Sequence, residues 1–403
     1  MTPYERRASG SLAIIFAARM LGLFLVLPVF ALEAARYPGG GDPALVGMAM
    51  GIYGLTQGIL QIPYGLASDR FGRKRVIVLG LIVFAAGSFV AAAAPTLMWL
   101  VAGRALQGAG AVSAAVTALL ADQTRDIVRT KAMAIIGASI GLMFAVSLVV
   151  APVLAAHIGL RGLFTVTGVL ALVCIAVVLG WTPRAPAQKN DAPRGRLIDV
   201  LQHAPLLRLD IGVFVLHAVQ LSMWVALPAL LVQSGLPKAQ HWQVYLPAVV
   251  ASVVVMGGMF ALERRGYLRA VFLGAIGLVL LVQLGLLAAS FHPGIPVLGV
   301  LLFFFFCGFN VLEATQPSLA SRLAPPQSRG AALGVYNTLQ SLGLFAGGAV
   351  GGELAKNVGW PGLFGLNAVL LLVWLVAAWP MRAPKARPSA EELLAAEARA
   401  AQG

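Results

Sequence analysis

Apolar residues run along this chain in blocks of about twenty, the length a helix needs to cross a bilayer, and short polar stretches separate them. The blocks fall at roughly 11–33, 45–67, 75–94, 97–121, 131–155, 162–181, 209–232, 243–262, 270–290, 296–320, 331–354 and 361–381. Lipid offers the backbone no hydrogen-bond partner, so each block is predicted to be a helix that satisfies its own N–H and C=O groups. One stretch breaks the rhythm. TPRAPAQKNDAPRGRLIDVLQHAP, Thr182 to Pro205, is rich in proline and charge. It divides the chain into a six-helix bundle at 1–181, a linker at 182–206, a second six-helix bundle at 207–381 and a tail at 382–403. The tail opens on Ser389 and Glu392, spaced as a capping box, and carries no predicted function.

The two halves resemble each other at a constant offset. Gly159-Leu-Arg-Gly-Leu-Phe164 parallels Gly359-Trp-Pro-Gly-Leu-Phe364, Leu27-Pro28 parallels Leu227-Pro228, Arg129 parallels Arg329 and Gly108 parallels Gly308. The expected fold is therefore an all-α membrane protein of twelve transmembrane helices, in two bundles related by a pseudo-twofold axis. Secondary transporters use this parallel repeat, with the substrate site at mid-membrane between the halves.

Composition agrees. Of 403 residues, 59% are hydrophobic and 11% charged, while soluble domains carry roughly twice that charge. The net charge of +14 could suggest a nucleic-acid partner. The basic residues instead sit between spans rather than on one polar face, so no nucleic acid is expected. Most fall in alternate loops. Only Arg36, Arg161, Lys238 and Lys356 lie in the other set, and Arg19 and Arg104 lie inside apolar runs. The positive-inside rule then puts both termini in the cytoplasm of a multi-pass protein. MTPYERR leads into an apolar run with no small-residue cleavage site after it, so that run is read as the first span. Cys174 and Cys307 both lie in apolar runs and imply neither a disulfide framework nor a metal site. No cofactor is expected.

Between the second and third spans stands Gly65-Leu-Ala-Ser-Asp-Arg-Phe-Gly-Arg-Lys-Arg75. Asp69 lies near the C-terminal end of a helix, where the dipole disfavours an anion, so it needs a cation or another helix's N-terminus. The stretch resembles the signature loop of the major facilitator superfamily, G-x-L-x-D-R-x-G-R-K, at Gly65, Asp69, Arg70, Gly72, Arg73 and Lys74, with Ala67 where leucine is usual. The resemblance implies a conformational latch on the cytoplasmic side. Its partners would lie near Gln327 to Ala331 and at Asp122 and Asp126. The alternative is that these cations only fix topology and touch anionic lipid.

Arg104-Ala-Leu-Gln-Gly-Ala-Gly-Ala111 looks like the R-x-x-Q-G motif that the same superfamily links to proton coupling. A structural arginine bonding helix carbonyls is the competing reading. Val149-Val-Ala-Pro-Val-Leu154 keeps Pro152 of the antiporter branch's glycine-rich motif but not its glycines. Arg19-Met-Leu-Gly, Gly51-Ile-Tyr-Gly-Leu-Thr-Gln57, Leu236-Pro-Lys-Ala-Gln-His-Trp-Gln-Val-Tyr-Leu246 and Asn310-Val-Leu-Glu313 look similar to the YajR-like group within it, which is drug:proton antiporter-like. Some members carry an extra C-terminal soluble domain that this chain, ending at Gly403, lacks. In this fold the first, fourth, seventh and tenth spans border a central cavity, with the second, fifth, eighth and eleventh beside them. The resemblance thereby implies Tyr53, Gln57, Gln107, His217, Trp224, Asn310, Gln316, Tyr336, Asn337 and Gln340 as candidate cavity residues. For each of them, a plain interhelical hydrogen bond is the alternative.

Among the acidic residues, Glu313 is the one that falls deep inside a predicted span. A charge there costs at least about 2.5–3.5 kcal/mol, so the carboxyl must face a wet cavity, pair with a cation or carry a proton. A carboxyl that moves between a dry site and a cationic one binds and releases a proton. Arg19 lies at similar depth and is a candidate partner. Asn310, Glu313 and Gln316 recur three apart and form one polar stripe.

The expected function is proton-coupled secondary transport, with Glu313, Arg104 and Arg19 as coupling residues. It would be an efflux antiporter of small amphipathic compounds in the bacterial inner membrane. The expected partners are substrate, protons and lipids, and the expected state is a monomer. A proton-coupled uptake symporter and a non-transporting scaffold or sensor are the alternatives. An enzyme is not expected: no span offers a nucleophile with base and orienter, and no Walker-type loop appears.

Overall fold

The computed structural model describes residues 1–183, 200, 202–324 and 328–381, and nothing of the side chains of residues 126, 127, 129, 130, 134, 264 and 329. Most of the predicted linker, the whole tail and the side chain of Asp126 therefore lie outside the described residues, as does the start of the Gln327–Ala331 stretch. Among the described residues the regular structure is helical, with no strand.

The first span is Pro3–Phe24, followed by a short helix Phe30–Ala34. It starts on a capping box, in which the Thr2 hydroxyl accepts from the Glu5 N–H and the Glu5 carboxylate accepts from the Thr2 N–H. The second is Pro43–Phe71 and the third Arg73–Ala93. The fourth comes in two pieces, Leu97–Ala109 and Ser113–Gln123. The fifth and sixth run on as Asp126–Gly180, divided at Gly159, whose φ of 62° lies outside helical space. The seventh to twelfth are Ala204–Gln233, Trp242–Leu262, Leu268–Ala289, Ile295–Leu323, Arg329–Asn357 and Gly359–Ala378.

Among the described residues, ten helices are long and apolar enough to cross a membrane, one of which, Lys131–Gly180, holds both the fifth and sixth spans. The eleventh span is 29 residues long but glycine-rich, and its apolar content falls short of the others. An even number of crossings leaves the start of the first span and the end of the twelfth on one face, called here the terminal face. The opposite is the distal face.

One expectation is corrected. The signature stretch at 65–75 reads as a loop, yet helix continues to Phe71 and resumes at Arg73. Only Gly72, at φ 97°, turns the chain, and that conformation is open to glycine without a Cβ penalty.

Large apolar side chains stay exposed on the third, sixth, ninth and twelfth spans, among them Leu79, Leu179, Leu281 and Val376. Lipid is as apolar as they are, so they cost nothing there. The seventh span is buried along nearly its whole length. The Phe303–Phe306 run is split between the two environments: Phe305 and Phe306 are fully buried and Phe304 is exposed.

The halves meet most closely where the second span crosses the eleventh. A Cβ on Gly47 would come 2.2 Å from the Gly348 carbonyl oxygen, one on Gly51 2.6 Å from that of Phe345, and one on Gly54 2.4 Å from that of Ser341. Only glycine permits this backbone-to-backbone approach, the use membrane helices make of small residues. Two ion pairs cross between the halves on the distal face. Glu33 pairs with Lys238, and the Lys356 Nζ lies 3.1 Å from Asp42 Oδ2.

Candidate functional site

Glu313 projects from the tenth span, and Pro317 four residues later cannot donate the helical hydrogen bond to its carbonyl. The span is thus polar at this turn in both side chain and backbone. The Glu313 side chain is 40% exposed although it sits mid-span, so it borders open space.

Its partners come from two other spans of the same half. His217 Nε2 on the seventh lies 3.2 Å from Glu313 Oε2. The Gln340 amide on the eleventh donates to Glu313 Oε1 at 3.2 Å and lies 2.8 Å from His217 Nε2. On its other side the His217 ring meets the Val213 carbonyl, with Nδ1 to O 2.9 Å. A carbonyl only accepts, so Nδ1 carries a proton and Nε2 is the variable atom. With Nε2 protonated, the ring is a cation facing the carboxylate. With Nε2 bare, it accepts from Gln340. The 3.2 Å ion-pair contact is within range but not aligned as a hydrogen bond, and Glu313 Oε2 has no donor among the described residues. The carboxylate, the imidazole and the amide thus form one connected polar cluster at mid-span.

Arg19 does not join it. Its guanidinium is 2% exposed and donates to the Ser113 hydroxyl at 2.7 Å and the Tyr53 hydroxyl at 2.8 Å, with Nε unpartnered. It also lies 5.6 Å from the Phe84 ring centre. Arg104 is buried nearby, with its guanidinium carbon 4.9 Å above the Tyr53 ring centre. It donates to the Ala49 and Met50 carbonyls and to Gln107, which in turn donates to Ser88. Those contacts are the structural arrangement weighed above against proton coupling. Among the described residues no carboxylate lies within 4.0 Å of either guanidinium. Gly54, next to Tyr53, abuts Ser341, next to Gln340, so the Arg19 layer of one half stands level with the Glu313 layer of the other.

The other candidates divide. Gln57, Asn337 and Gln340 are half-buried. Asn310 is tied to the Ser252 hydroxyl at 3.0 Å. Gln107, Trp224 and Gln316 are fully buried, and Tyr53 and Tyr336 nearly so. The stripe of Asn310, Glu313 and Gln316 therefore does not face one open space. Sequence reading missed Asp210, assigned to a span end but buried within the seventh helix, with Oδ2 unpartnered. Its spacing of seven from His217 placed it on that residue's face and was the available signal.

On the terminal face Arg73 bridges Asp69 and Asp122, with Nε to Asp122 Oδ2 2.9 Å. Lys74 donates to the Thr182 carbonyl, Arg70 lies over Phe71, and a Cβ on Gly65 would come 3.8 Å from the Ala114 Cβ. All of these contacts stay within one half. A cavity of about 290 Å³ on the distal face is lined by Glu33, Arg36, Tyr37 and Arg161, away from Glu313. Its charges are already engaged: Glu33 with Lys238, and Arg161 with the Ala94 carbonyl.

The chain matches the Major Facilitator Superfamily over residues 12–348, and again over 211–401. It is 42% identical to the inner membrane transport protein YajR of Escherichia coli (strain K12), over 95% of this chain and 85% of that one. It is 26% identical to the multidrug resistance protein MdtH of Aeromonas salmonicida (strain A449), over 88% and 91%. A bacterial homolog of the human lysosomal transporter Spinster, solved inward-facing and occupied, superposes with a TM-score of 0.74 at 13% identity, covering 94% of this chain and 97% of that one. Two six-span halves joined at a glycine seam, with polar groups at mid-depth, are thus the frame of a transporter rather than an enzyme, and the chain belongs to the major facilitator superfamily.

Proposed function

We propose that this protein is a proton-coupled secondary transporter that exports small amphipathic compounds by alternating access. The observation that carries the reading is the Glu313–His217–Gln340 constellation, a mid-span carboxylate beside an imidazole and an amide at the edge of open space. A proton moving down a membrane potential releases about 2.3 kcal/mol per 100 mV, enough to drive export uphill. The multidrug-resistance name of one relative supports export. The inner-membrane name of another supports that location, and the loop charges support cytoplasmic termini.

In this scheme Glu313 and His217 carry the proton, and Arg19 and Arg104 set the potential around them. The Asp69–Arg73–Asp122 cluster at Gly65–Lys74 is the half-latch that meets the other bundle when the terminal face closes.

In proteoliposomes, Glu313→Gln should abolish proton-driven transport while substrate exchange continues. Full proton-driven transport by that variant would remove Glu313 from the mechanism. The sign of the proton flux that accompanies export distinguishes antiport from the uptake symport alternative.

A further inference from the structure

The N-terminal half contains a charge that no acidic side chain among the described residues answers. The arginine side chain is a permanent cation in proteins. The Arg19 guanidinium is almost wholly buried, and a buried charge without a counter-charge is strongly destabilising. Yet the acids of that half whose side chains are described are committed elsewhere: Glu5 to Arg125, Glu33 to Lys238, Asp42 to Lys356, and Asp69 and Asp122 to Arg73. The two partners Arg19 does have, the Ser113 and Tyr53 hydroxyls, are neutral, and its Nε–H has none.

A second positive feature converges on the same point. The fourth span is broken at residues 110–112, and a new helix begins at Ser113. Its N-terminal residue Val112 supplies no side-chain cap, so the first N–H groups and the positive end of the helix dipole are left without an anionic or hydroxyl partner there. The Ser113 that opens this helix is the residue 2.7 Å from Arg19. It is half-buried and forms the accessible edge of the cluster. Arg104 adds a further buried positive charge against the same Tyr53 ring. A guanidinium fork beside free backbone donors is the arrangement that selects carboxylates, sulfonates and phosphates.

We infer that the transported compound bears an anionic head, a carboxylate or sulfonate, that docks at Arg19 and the N-terminus of the Ser113–Gln123 helix. The inference rests on the transporter reading. The head displaces the Ser113 and Tyr53 hydroxyl oxygens as acceptors of the Arg19 N–H groups and takes up the free Nε–H.

The test uses three probes with one apolar body, phenylbutyrate, phenylbutanamide and phenylbutylamine, on the purified full-length protein. Phenylbutyrate should bind at least about tenfold more tightly than the neutral amide or the cation, the scale of one charge-assisted contact. Arg19→Gln should erase that preference. Should Arg19→Gln fail to fold, Ser113→Asp carries the test. It places an internal carboxylate beside the guanidinium, should fold, and should exclude phenylbutyrate to the same degree.

Equal or tighter binding of phenylbutylamine, no binding of phenylbutyrate, or unchanged phenylbutyrate affinity in Arg19→Gln or Ser113→Asp would each overturn the inference. So would competition by phosphatidylglycerol vesicles but not by free benzenesulfonate, which would make the site one for a lipid head. Glu313→Gln separates the two readings. It should retain the anion preference while losing proton drive: retained proton drive would sink the coupling reading, and a lost anion preference would sink the present inference.

Discussion

The two faces of the molecule use their charges in opposite ways. On the distal face, Glu33–Lys238 and Asp42–Lys356 each join one half to the other, and the glycine seam of the second and eleventh spans locks the same side. On the terminal face, Arg73 ties Asp69 to Asp122, and Arg125 ties to Glu5, all inside one half. The distal charges therefore stabilise contact between bundles, and the terminal charges stabilise the shape of a bundle. Among the described residues this distribution belongs to a molecule closed at its distal end, and the proposed alternating access would require that the balance be reversible. Lys238 and Lys356 are two of the four basic residues that stand apart from the rest in the sequence, so the cations that violate the general charge bias are the ones recruited to hold the halves together.

That contrast can be broken in three places. The largest effect is expected from Gly348→Val. The added Cβ would meet the Gly47 carbonyl oxygen at 2.6 Å and the Gly51 N at 2.7 Å, both backbone atoms that cannot swing aside. Overpacking costs about 1–3 kcal/mol, so distal closure should weaken by roughly 10–100-fold. Labelling of a Val46→Cys reporter by an impermeant maleimide added from the distal side should accelerate accordingly. An unchanged labelling rate would mean that the seam does not close the molecule.

A smaller effect is expected from Lys238→Gln. It leaves the buried Glu33 with only the exposed Arg36, 3.6 Å away. Removing one partner of a buried pair costs more than a surface bridge is worth, but Lys238 is itself partly exposed, so about a tenfold rise in the same labelling rate is expected. Restoration by the double variant Glu33→Gln with Lys238→Gln would confirm that the stranded charge is the cause.

The smallest effect concerns Asp42, whose carboxyl is held below the usual aspartate range by its hydrogen bond from Lys356. The pair forms only with the halves together. A depressed carboxyl stabilises the closed state above the unpaired value of about 4, and that contribution disappears as pH falls through the depressed value. Acidification below about pH 4 should slightly raise the fraction of long distances between spin labels placed one per half on the distal face. Asp42→Asn should abolish the step. A step of the opposite sign would show that another group governs it.

Most of the fold was legible because lipid imposes a simple length and polarity rule. The eleventh span shows where that rule thins. Its glycines pack against the second span's backbone rather than against lipid, so its sequence is tuned for close approach and is less apolar. At the site, Glu313 announced itself as a carboxyl within an apolar run. Its partner did not. Depth along two spans suggested Arg19, but depth says nothing about which faces of two helices turn toward each other, and the facing group is His217. The break in the fourth span at 110–112 was hidden for a related reason: Gly-Ala-Val is compatible with continuous helix, and only packing of Gly110 against Gly80 and Phe84 shows why the chain departs from it.

The seam of the second and eleventh spans bears on speed as well as on closure. An interface made of side chains must freeze their rotamers each time it forms and release them each time it parts, and long side chains lose up to about 1.5–2 kcal/mol apiece in doing so. Gly47, Gly51, Gly54, Gly348 and Gly352 have no rotamers to lose. The distal side can therefore close on a dense van der Waals contact at little entropic cost and reopen with few side chains to reorganise, which suits a surface that, under the proposed alternating access, would form and dissolve once in every cycle.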